Sequence, residues 1–207
     1  QSRYTPVKVA DNVSTITTNG GAAYAVKTDG TLWAWGDNSY GWLGVGDTQS
    51  RYNRYTPVKV ADNVSTITVS WDSAYAVKTD GTLWAWGYNY WGQLGGDTQN
   101  RYTPVKVADN VSTITLGYQD SAYAVKADGS LWTWGGNSYG TLGVGDTEAR
   151  YTPVKVTDGV SAVAVDKNGN SVYAVKTDGT LWAWGWNLHG RLGVGDGSDR
   201  DSPVKVM

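Results

Sequence analysis

Short stretches rich in Val, Thr, Ile, Tyr and Trp alternate along the chain with Gly, Asn and Asp-Gly punctuation. Residues 64–69 read VSTITV, 74–78 AYAVK and 83–86 LWAW, with VKV at 58–60 and again at 105–107. Runs of this kind bounded by turn residues predict β-strands. No stretch carries the three-and-four spacing of an amphipathic helix. The second unit therefore reads as strand A over 64–69, strand B over 74–78, strand C over 83–86 and strand D over 58–60 or 105–107.

Strands B and C are joined by Thr79-Asp80-Gly81-Thr82. Asp-Gly favours a two-residue type I′ turn, in which both central residues have positive φ. That turn sets Lys78 opposite Leu83, Val77 opposite Trp84, Ala76 opposite Ala85 and Tyr75 opposite Trp86. Since side chains alternate along a strand, the expected sheet has a bulky face of Tyr75, Val77, Trp84 and Trp86. Its other face is small, with Ala74, Ala76 and Ala85, and Leu83 toward the edge. Such sheets stack bulky side onto small side, which makes eight of the 12 tryptophans core.

The unit repeats. PVKV begins at Pro6, Pro57, Pro104, Pro153 and Pro203, at intervals of 51, 47, 49 and 50 residues, and LW[AT]WG begins at Leu32, Leu83, Leu131 and Leu181. A period near 50 is that of propeller blades. Head-to-tail packing of the sheets about an axis predicts an all-β fold, a β-propeller of four-stranded antiparallel blades. Blades are expected at about 13–60, 64–107, 111–156 and 160–206 within one domain, 1–207. The surplus VKV at 6–9 is an extra outer strand, available to a longer or oligomeric propeller.

DGTLWAWG followed by GxNxxGxLGxGD resembles the regulator-of-chromosome-condensation type repeat in its bacterial form, four times over across the chain. The resemblance implies blades of four antiparallel strands, usually seven to a propeller. It also implies work by surface contact, as in the family's guanine-nucleotide exchange factors and a secreted bacterial propeller that inhibits β-lactamase through one loop face. This chain departs from the family pattern in having four complete units and Ser-Ala-Tyr where many repeats carry a His-Ser pair.

Comparison among the four copies locates the variable positions. The B–C turns read TDG, TDG, ADG and TDG, and the D–A links VADNVS three times and then VTDGVS. In an up-and-down meander the A–B and C–D connections open together on the opposite end, and these are the ones that differ. The C–D windows GDNSYGWLG, GYNYWGQLG, GGNSYGTLG and GWNLHGRLG keep three glycines, an Asn and a Leu. Their variable columns, with the A–B loops, hold Trp42, Trp71, Trp91, Trp186, Tyr40, Tyr88, Tyr90, Tyr118 and Tyr139, beside Asp37, Asp72, Gln119, His189 and Arg191. Stiff aromatics among small polar residues have the composition of a paratope, and Trp, Tyr and Arg are the usual hot spots of protein interfaces. These residues are the expected partner-binding set. The competing reading for any one ring is that it folds inward as a cap. Asn38, Asn89, Asn137 and Asn187, with the glycines that follow them, read as loop scaffold.

Charge and composition narrow the classes further. Lys plus Arg is 17 and Asp plus Glu 19, a net charge of −2, without the basic patch of a nucleic-acid binder. There is no cysteine for a disulfide or thiolate metal site. No apolar run reaches the length of a membrane-spanning helix, and QSRYTPVKV has no signal-peptide regions. His189 is the one histidine and sits in a variable column, which excludes a His-based triad or cluster. Asp47, Asp97, Asp146 and Asp196 recur after every loop and read as turn caps rather than an acid–base pair. DKNGNS at 166–171 has Ser171 where a calcium loop turns on Gly and Thr177 where it ends on Glu. GVGD lacks the Lys-Ser/Thr of a phosphate loop. No cofactor or metal is expected, and an enzyme is the least favoured class.

Two other classes compete with protein binding. A carbohydrate-binding propeller would use the same indoles, but repeated lectin sites keep the same contacts in each blade and these loops do not. A purely structural array in a large surface protein would leave the loops without a ligand. Self-association through terminal strands and an extracellular or cell-surface bacterial setting complete the expectations.

Overall fold

The structure is a computed structural model, and it describes residues 5–46, 53–117, 121–166 and 168–206. Sixteen strands run in chain order: β1 Val13–Thr18, β2 Ala22–Lys27, β3 Leu32–Gly36, β4 Arg54–Ala61, β5 Val64–Val69, β6 Ser73–Lys78, β7 Leu83–Gly87 and β8 Arg101–Ala108, then β9 Val111–Leu116, β10 Ala122–Lys126, β11 Leu131–Gly135, β12 Arg150–Thr157, β13 Val160–Val165, β14 Ser171–Lys176, β15 Leu181–Gly185 and β16 Arg200–Lys205. They form four sheets, each an antiparallel meander of four consecutive strands. Strand D of the second blade is therefore β8, not the earlier VKV copy. Pro6–Val9 forms no strand, and Val7 and Val9 are exposed.

The blades stack in sequence order. Inner strands β1, β5, β9 and β13 contact one another in succession, and no comparable contact joins the fourth sheet to the first among the described residues. The D–A links turn through left-handed residues, Asn12, Asn63 and Asn110 at φ near 58° and Gly159 at 70°. Asn and Gly are the residues that tolerate this region, which explains why the links spell ADN or TDG.

The B–C hairpin differs from the sequence expectation. Lys78 N donates to Thr82 O and Gly81 N to Lys78 O, each at 2.9 Å. The loop is thus three residues long, a type I turn closed by Gly81 at φ 79°. Asp80 does not take positive φ because its carboxylate is engaged as a cap. Oδ1 accepts Thr82 N at 2.9 Å and Thr82 Oγ1 at 2.7 Å.

One extra loop residue moves the pairing by one, to Val77–Leu83, Ala76–Trp84, Tyr75–Ala85 and Ala74–Trp86. A one-residue shift exchanges the faces of a strand. Trp84 and Trp86 therefore lie over Ala74 and Ala76, and Tyr75 and Val77 lie beside Leu83 and Ala85. The expected division into a bulky and a small face is incorrect: each face carries one kind of large ring.

Packing between blades follows from the corrected register. Tyr24, Val26, Leu32 and Ala34 of the first blade meet Val64, Ile67, Ala74, Ala76 and Trp86 of the second. The second and third blades repeat this with Tyr75, Val77 and Leu83 against Val111, Ile114 and Trp134. The third and fourth do so with Tyr123, Val125 and Leu131 against Val160, Val172, Ala174 and Trp184. Only the second Trp of each LW[AT]WG reaches this core: Trp86, Trp134 and Trp184 are sealed, and Trp35 is half-buried. The first Trp, at 33, 84, 132 and 182, is also half-buried, so the expectation of eight core tryptophans is too high. Each of these indoles lies under a lysine, Lys78 Nζ standing 4.4 Å from the Trp84 ring. Each also donates to the turn hydroxyl, Trp84 Nε1 to Thr82 Oγ1 at 2.9 Å.

Candidate functional site

The loops opposite the B–C turns form one rim. In the first, second and fourth blades the C–D loop starts by bonding the A–B loop of its own blade: Asp37 N donates to Gly21 O at 2.9 Å, Tyr88 N to Asp72 O at 2.9 Å, and Trp186 N to Asn170 O at 2.7 Å. This close approach explains the glycine that ends strand C. A Cβ on Gly87 would lie 2.4 Å from the Asp72 carbonyl oxygen, and φ there is 107°.

Asparagine holds each C–D loop from inside. Asn89 Oδ1 accepts Leu94 N at 2.8 Å, and its Nδ2 donates to Asp97 O at 2.7 Å and Gln99 O at 3.0 Å. Asn137 and Asn187 do the same with Leu142 and Leu192, and Asn38 Oδ1 accepts Leu43 N at 3.1 Å. The side chain replaces several turn bonds at once, so the asparagines are scaffold, as the sequence suggests. Left-handed backbone is taken instead by the glycine after them and, in the last two loops, by Tyr139 and His189 at φ 61° and 63°.

The recurring aspartates close the same loops. Asp97, Asp146 and Asp196 pair with Arg101, Arg150 and Arg200 at 2.5, 2.5 and 2.6 Å. The Gln99 amide is the main group holding the Asp97 carboxyl below the usual range. For Asp146 and Asp196 it is the arginine partner. These carboxylates are committed to turn geometry. Asp47 lies outside the described residues.

On this frame the aromatic side chains run from loop to loop. Tyr40 packs on Trp42 at 5.4 Å between ring centres and meets Tyr88 of the next blade edge-on at 6.1 Å. Tyr88 stacks with Tyr90 at 6.3 Å, and Tyr90 meets Trp91 edge-on at 5.0 Å. A cleft of about 120 Å³ separates Trp91 from Gly136, Asn137 and Ser138 of the third blade. Beyond it Tyr139 packs on Trp186 at 5.6 Å. The Arg191 guanidinium lies 4.6 Å from the Trp186 ring and 2.8 Å from Asp166.

Trp71, 71% exposed, lies over Gly20, and with Thr18, Asn19, Val69 and Ser70 it lines a cleft of about 220 Å³. Tyr40, Tyr90, Trp91, Tyr139 and His189 are also exposed, and Trp42, Tyr88, Trp186, Asp37, Asp72 and Arg191 are half-buried. Asp37 acts partly as a cap, its Oδ1 accepting Ser39 N at 2.8 Å. Tyr118 and Gln119 lie outside the described residues.

Asn19, Gly20, Leu188 and Asp166 do not stand out as rim residues in the sequence. Asn19 Nδ2 donates to Trp71 O at 3.2 Å, and Leu188 is exposed beside His189. A bond across 52 positions leaves no trace in one A–B loop read alone. Asp166 opens the calcium-like stretch, but its carboxylate accepts Asn170 N and Ser171 N and pairs with Arg191. A guanidinium occupies the place a cation would take.

Similarity to known proteins agrees with the blade count. Over 75 residues the chain is 36% identical to the ultraviolet-B receptor UVR8 of Arabidopsis thaliana, which is 34% of this chain and 16% of the receptor. A structure of Kap60 bound to yeast RCC1 (Prp20) superposes with a TM-score of 0.79 at 21% identity, covering 98% of this chain and 50% of that one. Human WBSCR16 superposes with a TM-score of 0.75 at 22% identity, covering 97% and 55%. The chain thus spans about half the length of the structures it matches. The regulator of chromosome condensation (RCC1) repeat matches residues 29–77, 80–123, 128–166 and 178–207, and a second form of the repeat matches 13–41. The chain belongs to the RCC1-repeat family of β-propellers.

Proposed function

We propose that the chain is a non-enzymatic protein-binding module whose contact surface is the aromatic rim. The observation that carries this reading is the continuity of the rings. Tyr40, Trp42, Tyr88, Tyr90 and Trp91 touch in series across two blades while three of them remain exposed. Isolated exposed apolar residues are ordinary on a protein surface, whereas a connected set rimmed by Asp, Asn and Ser is typical of an interface. Aromatic side chains with few rotors lose little entropy on contact, and their polar edges bond as the partner requires. Scaffold bonds from Asn89 and its equivalents are made to backbone, so the ring positions can change without loss of loop shape.

The yeast propeller Prp20p binds Gsp1p and histones, so a propeller of this fold can serve protein partners. The net charge of −2 favours a partner other than a polyanion. A bacterial extracellular or cell-surface setting is part of the same proposal.

The test is affinity capture from the native source with the wild-type chain and a Trp71→Ala/Tyr90→Ala/Trp91→Ala variant, followed by direct titration of the captured protein. Loss of at least tenfold in affinity with an unchanged circular dichroism spectrum is expected. Equal affinity for both chains rejects the rim as the contact. A glycan array with the same pair separates the carbohydrate alternative, in which Trp71 and its cleft would hold a sugar ring.

A further inference from the structure

At two of the three junctions between consecutive blades, the aromatic rim is joined by one ring from each side. In the frame GxNxxGxLG the fifth position of one blade meets the second position of the next. Tyr40 meets Tyr88 at 6.1 Å between ring centres, and Tyr139 meets Trp186 at 5.6 Å. Both separations fall in the range of favourable ring pairs, about 4.5–7 Å. The middle junction breaks the pattern. Its fifth position is Trp91, and the second position of the next blade is Gly136. Trp91 has no ring to meet there and is 46% exposed. Where the other junctions hold a second ring, this one has the cleft of about 120 Å³, lined by Trp91, Gly136, Asn137, Ser138, Thr147 and Ala149.

Both walls of this cleft are held in place. Trp91 N donates to Oε1 of the buried Gln93 at 2.9 Å, and the Trp91 ring rests edge-on against Tyr90 at 5.0 Å. Across the cleft, Asn137 is fixed by its bonds to Leu142 N and to the carbonyls of Asp146 and Glu148. A site whose walls are already ordered gives up little entropy when it is filled.

Size and charge narrow what can enter. An enclosed cavity of about 150 Å³ takes a benzene ring, so an open cleft of this volume takes one ring with its edge left at the surface. None of the six lining residues is charged. A Lys, Arg, Asp or Glu side chain entering here would lose water without meeting a counter-charge. Ser138 and Thr147 add exposed hydroxyls beside the indole, which suits a ring with a polar edge.

We infer that this cleft is the anchor site of the rim, and that the partner protein fills it with one uncharged aromatic side chain. That ring packs on Trp91 as Tyr88 packs on Tyr40 and Trp186 on Tyr139. The inference rests on the rim being the contact surface, and it adds which side chain the partner must offer. Interface hot spots are commonly rings seated in pockets near the middle of the contact. This cleft lies between the series from Tyr40 to Trp91 and the pair of Tyr139 and Trp186. Gly136 is then the residue that determines specificity. The other blades carry Asp37, Tyr88 and Trp186 in its column, and any of those side chains would occupy the space.

The experiment is an NMR titration of the full chain that follows the indole N–H signals. The probes are the peptide Gly-Gly-Tyr-Gly-Gly and its counterparts with Leu or Lys at the centre. The Trp91 signal is assigned by its absence in Trp91→Phe. The chains compared are wild type, Gly136→Tyr and Gly136→Asp. Each substitution copies a residue that another blade carries at that position, so the loop should fold in both, and either one alone decides the question. The Tyr peptide is expected to shift the Trp91 signal of the wild type to saturation. The Leu and Lys peptides should bind at least tenfold more weakly, and each substitution should weaken the Tyr peptide at least tenfold. Failure to saturate at the highest soluble peptide concentration overturns the inference. So does equal binding of the Tyr peptide to Gly136→Tyr, or a Leu peptide that binds as well as the Tyr peptide. Every ring of the rim is kept in both variants. A partner that needs Trp71, Tyr90 and Trp91 but binds Gly136→Tyr as it binds wild type therefore removes the anchor and leaves the rim as the contact.

Discussion

Tyr75 and Trp134 lie in neighbouring blades and donate to one acceptor, the carbonyl oxygen of Gln93, at 2.7 and 2.6 Å. Tyr24 and Trp86 share the Trp42 carbonyl at 2.6 and 2.8 Å, and Tyr123 and Trp184 share that of Thr141 at 2.9 and 2.8 Å. The acceptor is always main chain at a loop position whose side chain varies from blade to blade. The link between blades therefore depends on loop shape and not on the identity of that residue. Burial raises the Tyr123 phenol above its ordinary range, so it stays a donor throughout the physiological range.

Removing one donor leaves the carbonyl partly satisfied, and removing both leaves it buried and unpaired. Tyr75→Phe is expected to cost about 1 kcal/mol, and Trp134→Phe about 2–3 kcal/mol because it also opens a cavity. The double variant should cost more than the sum, with a coupling of about 0.5–1 kcal/mol. Urea denaturation of the four proteins measures it. Tyr173→Phe, whose ring is half-buried and whose hydroxyl donates to Arg191 O, should cost less than Tyr75→Phe. Additive behaviour would show that the shared carbonyl does not couple the blades.

Gly87 combines two constraints: a φ of 107° and a neighbouring carbonyl oxygen 2.4 Å from where a Cβ would stand. The obstacle is backbone of the A–B loop, which cannot rotate away as a side chain would. Gly87→Ala is expected to destabilise the protein by about 3 kcal/mol or more. It should also disturb the Tyr88–Asp72 loop contact, which is observable as a change in amide exchange at Tyr88. Gly179, whose added Cβ would meet nothing within 4 Å, is the control. Its Ala variant carries only the cost of φ 82°, about 1 kcal/mol.

Repeat period, strand content and the head-to-tail order of the blades were legible in the sequence, because four copies of one unit fix what a single copy leaves open, whereas which faces meet was not. Nor was the pairing register. Thr79-Asp80-Gly81-Thr82 is compatible with a two-residue and a three-residue loop, and the choice depends on whether Asp80 takes positive φ or caps Thr82. That cap, seen only with side chains in place, moved every tryptophan of strand C to the other face. The rim was legible as a set of positions but not as a series of contacts. Tyr40 to Tyr88 crosses between blades, and Trp42 and Trp186 turned out half-buried, stabilising their neighbours as much as facing outward.

Asn137 tests the scaffold that carries the rim. It is buried, accepts from Leu142 N at 2.8 Å and donates to the carbonyls of Asp146 and Glu148, each at 2.9 Å. Asn137→Ala leaves three backbone groups to find new partners, at a cost of about 2–3 kcal/mol. Because those groups belong to residues 142–148, limited proteolysis should cut that loop first while the blades remain intact. Asn137→Asp should be nearly as costly at neutral pH, since a carboxylate cannot donate to the two carbonyls. A loop as resistant as wild type would mean that asparagine is not what holds it.

The B–C turns carry carboxyls whose protonation is expected to weaken the fold in acid. Asp29, Asp80 and Asp178 are held below the usual carboxylate range first by the Thr hydroxyl two residues on, and Asp128 by Ser130. A carboxyl with a lowered folded value stabilises only while ionised. Its contribution is complete above the unfolded value of about 3.9 and is lost as pH falls through the folded one. Stability should therefore be level from neutral pH down to about pH 5 and fall below about pH 4 as these turns protonate. Denaturation midpoints across that range measure the slope. Thr82→Val removes the hydroxyl that bridges Asp80 to Trp84 Nε1, so it should lower stability at neutral pH and make the acid slope shallower. A slope equal to wild type would place the acid sensitivity elsewhere, with Asp97, Asp146 and Asp196 in the rim loops as the next groups to vary.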